Sequence, residues 1–234
     1  MSVSYRVISI GTLAANPQWE ETEPVRSGHA TTVLISSKPE GNGAETHILV
    51  NPGLPDTVLH ARLTERTPVR PEDVSIVFLT SFHGEHRRGV ELFEHARVLI
   101  HEPERAFAAA IIRSKMEEAD AIGDDELTAH FTREWELLER SQDAPDRLAA
   151  GVDLFPLPGI TPGTCGLLLP LPSATILLTG DAIPTAEHLR SGRVLGACVD
   201  LDKAQESFKE AIEIADVIIP GRGNETVNPL RARG

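Results

Sequence analysis

The sequence predicts an α/β (α+β) fold, a sandwich of two β-sheets with helices outside, formed by residues 1–234 as one domain. Three observations predict it. Two blocks of short apolar strands are separated by about fifty residues of helical pattern. Each block is followed by helix-period sequence, so each sheet has helices to cover it. No stretch of linker composition interrupts the chain, and 234 residues are enough to enclose a large core.

Taken in order, residues 5–11 (YRVISIG) alternate as a half-buried strand does, and 31–35 (TTVLI) and 47–50 (HILV) are β-branched or apolar runs bounded by Gly, Pro and Asn. Residues 39–44 (PEGNGA) read as a hairpin turn between the last two. A helix over 56–65 carries Val58, Leu59 and Leu63, and strands follow at 75–80 and 97–100. From 102 to about 147 the pattern is helical. One stripe holds Phe107, Ile111 and Ile112 and another Leu127, Phe131, Trp135 and Leu138, with a break over 121–125 (AIGDD). This insertion at about 102–150 is either a cap over a pocket or plain core helix, and its apolar positions are candidates for pairing two subunits into a homodimer. Strands return at 152–155, 165–171 and 175–179. A helix over about 202–215 presents Leu201, Ala204, Phe208, Ala211, Ile212 and Ala215 on one face and feeds a strand at 217–219.

Composition excludes several classes. The formal charge is −13, from 22 Lys and Arg against 35 Asp and Glu. A field of that sign repels phosphate backbones and anionic headgroups, so a small-molecule substrate or ligand is expected rather than nucleic acid or membrane. Two distant cysteines, Cys165 and Cys198, give no disulfide framework, and the first residues carry no basic stretch before an apolar run; a cytoplasmic location is the expectation.

Four segments place polar or Gly-rich sequence directly after an apolar strand: 79–89 (LTSFHGEHRRG), 157–163 (LPGITPG), 178–184 (LTGDAIP) and 218–224 (IIPGRGN). His83, Glu85 and His86 form a compact cluster whose atoms suit zinc, manganese or iron. In this order the segments resemble the metallo-β-lactamase superfamily, over nearly the whole chain. The family's His-x-His-x-Asp-His loop corresponds to Ser81-x-His83-x-Glu85-His86. Its Pro-Gly-His-Thr-Pro-Gly corresponds to Pro158-Gly159-Ile160-Thr161-Pro162-Gly163, its Thr-Gly-Asp to Thr179-Gly180-Asp181, and its Pro-Gly-His to Pro220-Gly221-Arg222. Asn51-Pro52-Gly53 is similar to the family's Asp-x-Gly turn.

The resemblance implies a four-layered αββα sandwich of two mixed sheets and a two-metal hydrolase site. One metal would be held at positions 81, 83 and 160, the other at 85, 86 and 222, with Asp181 bridging. Here Ser81, Ile160 and Arg222 stand where imidazoles are expected. Ile160 offers no lone pair, the Ser81 hydroxyl is a poor ligand, and the Arg222 guanidinium stays protonated and repels a cation. Arg222 is therefore expected to take the second metal's space and to fork onto Asp181, Glu85 or both.

Two functions follow. In the first, the dinuclear site is degraded and the protein is a metal-free or weakly active, hydrolase-like member. In the second, His83, Glu85, His86 and Asp181 hold one divalent ion, zinc before iron or manganese. That ion would activate water against an ester, lactone, thioester or amide, with Glu85 or Asp181 as the acid–base group. Ser81, Ile160, His29, His188 and Arg88 are the further pocket residues. His29 and His188 have an ordinary structural reading beside the functional one. Arg87 and Arg88, before Gly89, are either an anion-binding pair or a solvated helix start.

Overall fold

The computed structural model describes residues 2–41 and 43–231. Strands β1 (Ser2–Ser9), β2 (Thr32–Lys38), β3 (Thr46–Val50), β4 (Val74–Leu79), β5 (Arg97–Ile100) and β6 (Gln142–Asp143) form one sheet in that order. The second sheet runs β12 (Thr226–Val227), β11 (Val217–Pro220), β10 (Thr175–Gly180), β9 (Cys165–Pro170), β8 (Val152–Pro156), β7 (Arg147–Ala149). Both sheets are mixed. The first is antiparallel from β1 to β3 and parallel from β3 to β6, and the second has one parallel pair, β10 with β11. The helices are α1 (Asp56–Arg66), α2 (Glu102–Ile122), α3 (Asp125–Arg140), α4 (Ala186–Ser191) and α5 (Leu201–Ile214).

The alternation of side chains along each strand builds the layers. In β4, Ile76 and Phe78 point into the space between the sheets, where they meet Leu167, Leu169, Ile176 and Leu178. Val77 and Leu79 point the other way, onto Leu59 and Leu63 of α1 and Ala108, Ile112 and Leu138 of α2 and α3. On the far side, Leu177 and Ile218 pack under Leu189 of α4 and Phe208 and Ala211 of α5. The central strands are mostly apolar because both of their faces are covered. The result is the expected αββα sandwich.

Several details differ from the expectation. The helical pattern extends to about 147, but α3 ends at Arg140. The Ser141 amide bonds back to Leu137 and Leu138 and its hydroxyl reaches the Leu138 carbonyl, after which residues 142–143 and 147–149 join the two sheets as β6 and β7. These strands are too short to show a period of their own. Leu201 is 51% exposed, because it opens α5 before the helix settles onto its sheet, whereas Ala204, Phe208 and Ala211 are buried. The 39–44 turn includes Asn42, which lies outside the described residues; the strands it joins do pair antiparallel. Among the described residues no helix is long and apolar enough to cross a membrane.

Candidate functional site

The four segments converge at one end of the sandwich. β10 and β11 are parallel neighbours with Gly180 opposite Pro220, so Asp181 and Arg222 emerge side by side. Close approach is needed there: a Cβ on Gly221 would lie 2.5 Å from the Gly180 carbonyl and 2.8 Å from Asp181 Oδ1. After β4 the chain passes Thr80 and Ser81 into a single 3-10 turn, Gly84–His86, which carries Glu85 and His86 toward the same point. Gly28 lies against Glu85, and a Cβ at Gly28 would fall 2.4 Å from Oε1 of that carboxylate.

Arg222 is the centre of the group. Its Nε donates to Asp181 Oδ1 at 2.9 Å and its Nη2 to Asp181 Oδ2 at 3.0 Å, a two-pronged fork. Its Nη1 donates to Glu85 Oε2. His86, fully buried, has Nε2 3.0 Å from Asp181 Oδ2 and Nδ1 3.0 Å from Thr80 Oγ1. An ionised carboxylate only accepts, so His86 Nε2 carries the proton and Nδ1 accepts from the Thr80 hydroxyl. The 3.1 Å approach of Arg222 Nη2 to His86 Nε2 then sets two donors side by side, both aimed at Asp181 Oδ2. Behind them Asn51 donates to Thr80 Oγ1 at 3.0 Å and accepts from Thr80 N at 2.9 Å; its φ of 50° is one an asparagine tolerates.

Electrostatics follow from this packing. Burial would raise the Asp181 carboxyl, but the charge of Arg222 and the His86 ring outweigh it and hold the group well below the usual carboxylate range. Burial would likewise lower Arg222, and the two carboxylates more than reverse that, so the guanidinium stays charged. Desolvation and neighbouring His86 push His83 below the ordinary histidine value, against the pull of Asp181.

The remaining expected residues make contacts of their own. Ser81 is buried, with Oγ 3.4 Å from the His83 amide, and Ile160 is half-buried, its carbonyl accepting from Val199. His83 is exposed, with its ring centroid 6.2 Å from that of His86. His29 is half-buried and contributes a backbone bridge to Thr12. His188 is buried on α4 with Nδ1 2.9 Å from Thr185 Oγ1; burial lowers its pKa, and the charges of Glu187 and of Asp181 in the Arg222 group oppose that shift. Arg88 Nη1 reaches Ser27 Oγ at 3.2 Å. Among the described residues no group of three or more His, Cys, Asp or Glu side chains is arranged to hold a metal ion.

Sequence reasoning missed the supports behind the loop. The buried Glu104 of α2 accepts from the Phe82 amide at 2.8 Å and from the Thr161 hydroxyl, tying two of the four segments together. Arg87 donates Nε to the Phe82 carbonyl at 2.8 Å, stacks 4.2 Å over the Phe82 ring, and pairs through both terminal nitrogens with Glu134 of α3. Helix α2 therefore holds the Phe82 backbone directly, and α3 holds it through Arg87. Glu104 and Glu134 sit in ordinary helical sequence, which gives no signal of these contacts.

Comparison with known proteins places the fold. The family profile described as the metallo-beta-lactamase superfamily matches residues 28–222. The N-acyl homoserine lactonase AiiB of Rhizobium rhizogenes is 29% identical over 150 residues, 61% of this chain and 54% of that protein, so the chain spans about half the length of the curated relatives it matches. Among solved structures, a candidate metallo-beta-lactamase of Thermotoga maritima superposes with a TM-score of 0.64 at 16% identity, covering 97% of this chain and all of the other. AidC, a dizinc quorum-quenching lactonase in complex with the product N-hexanoyl-L-homoserine, superposes with a TM-score of 0.57 at 17% identity, over 79% of this chain and 68% of its own.

Proposed function

The chain belongs to the metallo-β-lactamase superfamily, and on that premise we propose that it is a hydrolase-like member whose two-metal site has been replaced by a protein cation, leaving a metal-free binding site. The observation that carries this reading is the fork of Arg222 onto Asp181 with its third nitrogen on Glu85. The residues present do not fit a pair of divalent ions. Both oxygens of Asp181 already accept from Arg222, and Oδ2 accepts from His86 as well. The imidazole nitrogen nearest that carboxylate carries a proton rather than a free lone pair. Ile160 has no donor atom, and a cation brought beside the guanidinium would be repelled. Arg222 instead supplies the positive charge that lets two neighbouring carboxylates stay ionised.

With His86 buried and Asp181 saturated, neither is free to move a proton to or from a ligand. His83 is the exposed imidazole of the group, and its lowered pKa makes it a neutral hydrogen-bonding group at neutral pH. The likeness to N-acyl homoserine lactonases favours the second reading, hydrolysis of an ester, lactone, thioester or amide at a single ion held by His83, Glu85, His86 and Asp181.

Elemental analysis of protein purified without chelator or metal-affinity resin separates the two. The metal-free reading expects far less than stoichiometric zinc, iron or manganese and no thermal shift on adding any of them. It is overturned by about one equivalent of metal that disappears in His86→Ala, since a ligand's loss should empty such a site.

A further inference from the structure

A cavity of about 800 Å³ opens beside the site, between the loop after β4, the 90–94 segment that follows it, and helix α3. His83, Gly84 and Glu85 are part of its lining, and Glu85 also accepts from Arg222, so the cavity borders the Arg222 group. Its lining carries charges of both signs. Helix α3 contributes Arg133 and Arg140, seven residues apart and therefore on one face two turns along the helix. The 90–94 segment contributes Glu91 and Glu94, Arg88 precedes it, and α3 also brings Glu136.

Among the described residues none of these six side chains has an ion-pair partner; Arg88 makes a hydrogen bond to the Ser27 hydroxyl instead. The neighbouring Arg87 and Glu134 are paired through both guanidinium nitrogens, so opposite charges do close on one another in this region where the backbone brings them within reach. Around the cavity they remain apart. Val90 and Leu137 are the only aliphatic side chains lining it, and Val90 is itself buried.

We propose that this cavity binds a small zwitterion of the amino-acid or short-peptide class. Its carboxylate meets the guanidiniums of Arg133 and Arg140, and its ammonium meets Glu91 and Glu94. Guanidinium matches carboxylate geometry with paired hydrogen bonds, and the lining offers partners for ligand charges of both signs. The inference rests on the metal-free reading above, because a divalent ion at Asp181 would itself draw the ligand carboxylate away from α3.

Calorimetric titration tests it with four probes: glycylglycine, N-acetylglycylglycine, glycylglycinamide and N-decanoyl-L-homoserine. Glycylglycine is expected to bind, and each capped peptide to bind about tenfold more weakly or worse, since each lacks one charge-assisted contact. Arg140→Ala and Glu94→Ala, both at exposed positions that folding does not depend on, are each expected to weaken glycylglycine by a similar factor. Equal binding of capped and uncapped peptides, preference for the decanoyl probe, or no binding of glycylglycine to zinc-free protein overturns the ligand assignment and leaves the metal-free reading standing. Stoichiometric zinc in the same preparation overturns both.

Discussion

Two groups of charged side chains share the loop after β4, and they differ in where each charge finds its partner. In the Arg222 group every charge is answered inside the protein: Arg222 is 5% exposed and Asp181 7%, and each ion sits in hydrogen-bonding reach of its opposite. In the cavity beside α3, Arg133, Arg140, Glu91 and Glu94 are exposed and answered by water. The difference teaches that charge at a site can serve two ends. A desolvated charge must be matched at once or its burial is costly, whereas a solvated one can wait for a ligand.

The largest effect should come from breaking the buried side of this comparison. Arg222→Ala leaves Asp181 and Glu85 without their cation and is expected to cost about 3–5 kcal/mol of stability, measured by urea unfolding. A loss below 1 kcal/mol, on the order of a surface pair, would mean the group is not desolvated as its burial implies. Next in size is Arg87→Ala, which removes the pair to Glu134, the bond to the Phe82 carbonyl and the stack on its ring. About 2 kcal/mol is expected in the same assay, with faster amide exchange around Phe82.

The pH dependence gives a third test. Burial pushes the Glu104 carboxyl above the ordinary glutamate value, with the Thr161 hydroxyl and Phe82 amide opposing. A raised value in the folded state means the native protein binds the proton more tightly than the unfolded chain. The stabilisation from Glu104 is therefore full below about pH 4.3, the unfolded value, and lost as pH rises through the folded one. Glu104→Gln should flatten the fall in stability between acid and neutral pH; an unchanged slope would show that Glu104 does not carry it. The smallest effect is expected in the cavity. Arg133→Ala and Glu91→Ala should each change stability by no more than about 0.5 kcal/mol. A cost comparable to that of Arg222→Ala would erase the distinction between the two groups.

Much of the fold is legible in the residues. Apolar runs such as 75–80 and 97–100 announce strands covered on both faces, and the break over 121–125 falls where α2 gives way to α3 around Gly123 and Asp124. The site is legible where it lies in strand-end motifs: Glu85, His86, Asp181 and Arg222 do come together. His83 stands beside His86 at its exposed edge, whereas the polar contact of Ile160 is to Val199. What was not legible is whatever depends on contacts between distant segments. Nothing in Glu104, Arg87 or Glu134 marks them as holding Phe82, because a helix's own period says which face is apolar but not which loop its polar residues will meet. Gly28 is similar: it reads as one glycine among 18 until the Glu85 carboxylate is seen packed against it.

By itself, then, the sequence determined the layers, the order of the site-bearing loops and the identities of Ser81, Ile160 and Arg222 within them. Those follow from local pattern and chemical identity, since isoleucine has no lone pair and arginine keeps its proton in any fold. Only the tertiary structure decided that Arg222 spans Asp181 and Glu85 together, that His86 is sealed behind them, and that charges of both signs line the cavity unpaired. Those outcomes depend on the parallel register of β10 and β11 and on the docking of α3, where a displacement of a few ångströms separates a closed ion pair from an open pocket.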